Sequence, residues 1–137
     1  MKEKRFEEIE HTADLSIRVW GGNLAELFAN AAYGLAHQLA VDPDSIPAAV
    51  ERQVELEAYD LETLLVDWLD ELLYLGEQDA LVFTAFDVAE ITDHRLRATV
   101  RGGPPVEHRS AVKATTFHEL EIVQTDEGYE TTIVFDV

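Results

Sequence analysis

The 137-residue chain contains no cysteine, which excludes disulfide staples, thiolate metal centres and a cysteine nucleophile. Positive charge is scarce: 10 Lys and Arg stand against 28 Asp and Glu, for a formal net charge of -18. Gripping a phosphate backbone requires basic residues to neutralise it, so no direct strong nucleic-acid binding is expected. Any RNA-related role should run through another protein. The same field repels anionic membranes and favours a basic partner surface or bound cations; a saline host is the alternative source of the acidity. No apolar run approaches membrane-spanning length, and the opening MKEKRFEEIE carries no signal segment. A cytoplasmic protein without a membrane partner is therefore expected. Also missing are a Gly-rich phosphate loop, HExxH, an EF-hand loop and G-x-S-x-G. Gly102-Gly103-Pro104-Pro105 lacks the following Lys-Ser/Thr of a nucleotide loop and reads as a turn.

What is present points to a globular chain. Its apolar fraction of 47% separates it from disordered acidic segments, and its length suits one domain over 1–137. Residues 5–10 and 15–20 read as short strands; in the second, Leu15, Ile17 and Val19 alternate with Ser16 and Arg18. After Gly21-Gly22, Asn23 and Glu26 form a capping-box pattern, with Glu26 able to return to the cap amide. They open a helix whose buried stripe is Leu24, Leu27, Phe28, Ala31, Leu35 and Leu39. His37 near its end reads as a surface residue favoured by the helix dipole.

Asp42–Pro47 forms a turn segment, and alternation resumes at Val50 with Val54, Leu56 and Ala58 opposed to Glu51, Gln53, Glu55 and Glu57. Asp60 caps a second helix reaching about Leu75, with Gly76 suited to its C-terminal cap. Leu61, Leu64, Leu65, Trp68, Leu69, Leu72 and Leu73 span more than a narrow stripe, so this helix should meet a sheet and a further layer. Strands are expected at about 81–91, 95–101, 111–115, 117–125 and 129–136, with Gly128 in a hairpin turn. The order predicts an α+β fold, a two-layer sandwich of mostly antiparallel sheet with two main helices on one face.

Two isolated acids flank this scaffold, Asp14 near the start and Asp136 next to Val137. If the ends meet, clustered carboxylates demand a cation or protons; otherwise both are solvated. Hard oxygen donors from Asp14, Asp136 and a main-chain or terminal oxygen suit calcium or magnesium. Zinc held by His11, His108 and His118 with Asp14 is conceivable and less favoured. Lys113, the only lysine after Lys4, either balances nearby carboxylates, reaches a partner's phosphate, or is a plain surface residue. A hydrolase using metal-bound water lacks any paired base and nucleophile.

Several blocks together resemble the archease family. They are His11–Ile17, Leu24–Ala32, Asp60–Tyr74, Lys113–His118 and Val134–Val137, in that order over nearly the whole chain. The second-helix block is the most specific. The resemblance implies a fold of the strand-helix-strand-strand type and a divalent-ion site, usually calcium. Asp14 and Asp136 would supply side-chain oxygens, and Val137 an oxygen at the terminus. It further implies a non-enzymatic activator of the RtcB-type tRNA-splicing ligase. Such an activator promotes the ligase's guanylylation and multiple turnover and broadens the nucleotides it accepts. Lys113 and Glu62 match positions that would act in partner activation. A metal-dependent hydrolase of a small phosphorylated substrate and a general protein-binding chaperone are the rival readings. The chain departs from the family pattern at Ser16, where Gly is common, at Phe117, where Tyr is common, and in the Gly102–Pro105 loop.

Overall fold

The computed structural model describes residues 3–9 and 15–137. Its strands divide between two antiparallel sheets. The first contains β1 (Phe6–Ile9), β2 (Leu15–Gly21), β6 (Ala114–Thr115), β7 (Val123–Thr125) and β8 (Gly128–Asp136). Their order is β1-β2-β8-β6, with β7 also on β8. The second is β3 (Val50–Glu57), β5 (Arg95–Gly103) and β4 (Val82–Ile91), in that order. The α+β class read from the strand and helix pattern is the one observed.

Two helices join the sheets. In α1 (Leu24–Leu39) the Asn23 side chain accepts the Glu26 amide. The return bond from Glu26 goes to the Gly22 amide at 3.0 Å, one residue earlier than the capping box predicts. Leu27, Phe28, Ala31 and Leu35 are buried as the stripe requires, and α1 lies against both β2 and β4. In α2 (Leu61–Asp79) Asp60 accepts the Thr63 amide at 2.8 Å. The wide apolar band of α2 is explained by its neighbours, since it touches α1, β3, β4 and β6. Trp68 is fully buried at the centre and donates its indole N–H to the Phe28 carbonyl at 2.9 Å. Among the described residues no helix is long and apolar enough to cross a membrane.

Three local expectations are corrected. The second helix does not stop at Gly76; it runs to Asp79, and Ala80 in the left-handed region (φ 56°) caps it. Gly76 is needed instead for close approach, because a Cβ there would meet the Leu81 carbonyl oxygen at 2.6 Å. The expected strands 111–115 and 117–125 shrink to Ala114–Thr115 and Val123–Thr125, with an irregular strap between them. His37 is not a plain surface residue. It is half-buried, its ring centroid 5.2 Å from Phe6 and 4.7 Å from Tyr33, and burial pulls its pKa down. The hairpin at Gly128 is as expected, with φ 134° that a side chain would strain.

Candidate functional site

The pairing of β2 with β8 decides where the ends of the chain lie. Their register matches Leu15 with Phe135 and Ile17 with Ile133. These inward residues alternate toward the core, and Ile17, Ile133 and Phe135 are completely buried. Asp14 and His11 lie outside the described residues. Asp136 ends β8 with its side chain in solvent, followed by exposed Val137. Among the described residues nothing pairs with the Asp136 carboxylate.

β6 brings Lys113 to the same place. Ala114 is matched with Asp136 in register, and the Lys113 amide donates to the Asp136 main-chain oxygen at 2.8 Å. The Lys113 side chain is exposed and makes no ion pair with any described residue. A carboxylate and an ammonium, neither with a side-chain partner among the described residues, thus sit at adjacent ladder positions, tied through the backbone.

Carboxylates on α2 hold this corner from beneath. Asp70 accepts the Thr115 amide at 2.8 Å, and Glu62 accepts the Ile122 amide at 3.0 Å. The two acids are eight residues apart, which puts them on one helix face. They pin both ends of the strap from Thr116 to Glu121. Between them Asp67 is half-buried; burial first, and then the neighbouring Asp70 charge, push its pKa up. The strap turns tightly: the His118 amide donates to the Thr116 hydroxyl, the Leu120 amide to the Phe117 carbonyl, and Glu119 adopts φ 53°. Phe117 projects from it, 57% exposed. A tyrosine hydroxyl at this position would meet solvent or a partner, so its loss in this chain leaves the core unchanged.

Of the sequence candidates, the structure therefore brings Lys113, Asp136 and Val137 together and places Glu62 under the adjoining strap. His108 pairs by a β-bridge with Ala40 at the end of α1 and lines a cleft that Lys113 also lines, while His118 is on the strap. No group of three His, Asp or Glu side chains suited to a metal occurs among the described residues. The donors that are described, a solvent-facing carboxylate and the oxygens of Val137, are hard oxygens of the kind calcium or magnesium takes. They leave most of a coordination shell to other groups. Ser16, where the family commonly has Gly, is buried beside β8, and its hydroxyl has no partner among the described residues. Asp70 and Asp67 were not singled out from the sequence; the i, i+8 spacing of Asp70 from Glu62 was the available signal.

Comparison with known proteins agrees along the whole length. The model of the archease protein family (MTH1598/TM1083) matches residues 6–137. Protein archease of Methanosarcina mazei is 37% identical over 142 aligned positions, covering 98% of this chain and 97% of that one. Its counterpart in Saccharolobus islandicus is 39% identical, covering 98% and 99%. Among solved structures, Methanobacterium thermoautotrophicum protein 1598 superposes with a TM-score of 0.81 at 34% identity, over 98% of this chain and 100% of that one. An archease from Thermotoga maritima, described as a possible chaperone, shares the fold with a TM-score of 0.67 at 21% identity, covering 96% of each chain. The chain belongs to the archease family.

Proposed function

We propose that this protein is a non-catalytic activator of an RtcB-type tRNA-splicing ligase, promoting guanylylation and repeated turnover of its partner. The observation that carries the reading is the corner where Lys113, Asp136 and Val137 converge, in a chain matched to the archease family over residues 6–137. Asp14, Asp136 and an oxygen of Val137 would hold calcium, or magnesium as the alternative. The ion would neutralise the carboxylates and fix the contact surface. Lys113 and Glu62 serve partner activation in different ways. Lys113 offers a cation to the partner, and Glu62 keeps the strap seated through the Ile122 amide. The remaining acidic surface steers the protein toward a basic region of the ligase, an attraction that salt weakens.

The coarser form of this reading is a protein that acts on another protein, which agrees with the description of the Thermotoga maritima relative as a possible chaperone. The test is multiple-turnover RNA joining by a purified ligase of this type, with the intact protein and with Asp14→Ala, Asp136→Ala and Lys113→Ala. Stimulation by the intact protein that each variant loses is expected. No stimulation by the intact protein removes the activator reading. Full stimulation by both aspartate variants removes the ion from it.

A further inference from the structure

A cleft of about 350 Å³ lies where the ends of α1 and α2 face the segment leading into β6. Its apolar wall is built from Leu39, Leu72, Leu73, Leu81, Val82 and Val112. Two other clefts carry charges held in ion pairs, Arg18 with Glu130 in one and Arg95 with Glu57 in the other. This one is mostly apolar and carries Lys113, which has no ion-pair partner among the described residues. Its volume falls at the small end of pockets that take small molecules. The wall bearing Lys113 is firmly held. The Arg109 amide donates to the Leu39 carbonyl at 2.9 Å, Ser110 to Gln38 at 3.0 Å, and Lys113 to Asp136 at 2.8 Å. A site fixed in this way loses little ordering entropy on binding.

We propose that this cleft binds a small amphiphilic monocarboxylate, with its apolar body against the leucines and its carboxylate on Lys113. Charge chooses the head group. The chain carries a net charge of -18, so its surface in general repels anions, and Lys113 supplies a local exception at the cleft. Glu77 lines the same space and disfavours a second negative charge, which selects a monoanion over a phosphate dianion. The imidazole of His108, also on the lining, can donate a hydrogen bond to the second carboxylate oxygen. The apolar wall contributes in proportion to the area it removes from water. This assignment does not depend on the ligase reading.

The experiment follows backbone amide shifts of the full chain by NMR during titration with octanoate, octan-1-ol and octylamine. Octanoate should give saturable shifts at Leu72, Leu73 and Val112, with octanol weaker and octylamine weakest. Lys113→Gln should weaken octanoate about threefold to fivefold, the size of an exposed ion pair, and leave octanol unchanged. Ala111→Phe places a ring on the lining and should weaken all three. Absence of saturable shifts with octanoate overturns the proposal. So does octylamine binding as tightly as octanoate, or an unchanged octanoate affinity in Lys113→Gln. Sedimentation of the ligand-free protein is run alongside; a dimer that octanoate dissolves would assign the cleft to a second copy and overturn it as well.

Discussion

Replacing Asp70 by Ala removes the acceptor that fastens β6 to the central helix. The Thr115 amide, 2.8 Å from Asp70 Oδ1 and part-buried, would lose a bond to a charged oxygen and keep only the partners that water can supply. Bonds of this kind are worth about 1.5–3 kcal/mol when well shielded. Partial exposure here argues for about 1–2 kcal/mol. For a chain of this size that lowers the melting temperature by roughly 4–8 °C. Relief of Asp67, whose pKa the Asp70 charge helps to raise, returns a small part of the loss. The damage should be local. Hydrogen exchange at Thr115 should quicken, and the Lys113 amide bonded to Asp136 should follow, while Ile122 keeps its protection because Glu62 is untouched. Asp70→Asn retains a carbonyl acceptor and should cost about half as much. Thermal melts monitored by circular dichroism, together with amide exchange, measure both quantities. An Asp70→Ala protein that melts with its parent and keeps slow exchange at Thr115 would refute the view that α2 positions the C-terminal corner.

Other expectations follow from the same geometry. His37 titrates lower in the fold than in the unfolded chain because burial disfavours its cation. Below about pH 6.5 the unfolded chain therefore takes up a proton that the fold refuses, and stability falls from there toward the lower folded value. Lys4 and Arg109 reinforce that trend, while Asp44 and Glu8 oppose it; His37→Phe should flatten the decline in melting temperature over that window. Asp67→Asn should raise the melting temperature by about 1–2 °C at pH 7. Its parent carboxylate has a raised pKa and is penalised when ionised, so the gain should vanish in acid where both forms are neutral. Trp68→Phe keeps an aromatic ring beside Phe86 but loses the bond to the Phe28 carbonyl. It should cost about 1–3 kcal/mol in urea unfolding.

Much of the scaffold is written locally. Asn23 and Asp60 announce both helix starts because a short polar side chain followed by an apolar repeat has few other uses, and both side chains accept the amide three residues on. Alternation locates β2 and β3, since one face of each is buried against a helix. The segment from Ala111 to Thr125 departs from the strands its pattern predicts for the opposite reason. Its alternation is genuine, but Asp70 and Glu62 on a distant helix take the amides that a strand partner would have taken. No period in the sequence reports such bonds. Gly76 misled because glycine at a helix end usually signals a left-handed cap, whereas here its missing Cβ makes room for the chain returning at Leu81. The C-terminal corner was legible only as chemistry. Asp136 and Lys113 stood out as isolated charges, and their adjacency came from the pairing of β6 with β8.

The pairing of β2 with β8 also sets a schedule for folding. Leu15 meets Phe135, and Ile17 meets Ile133, so the first sheet is closed by residues made more than a hundred positions apart. While the chain is being synthesised, β2 and α1 leave the ribosome long before the strand that separates β2 from β6 exists. Until then Ile17 and Val19 are covered on one side only by β1 and α1, and the hydrogen-bonding edge that will receive β8 is open. Such long-range closure is slow and leaves an unpaired strand exposed to other chains. Nascent chains stalled before β8 should therefore be protease-sensitive in the first sheet, even where α2 and the second sheet have already become resistant.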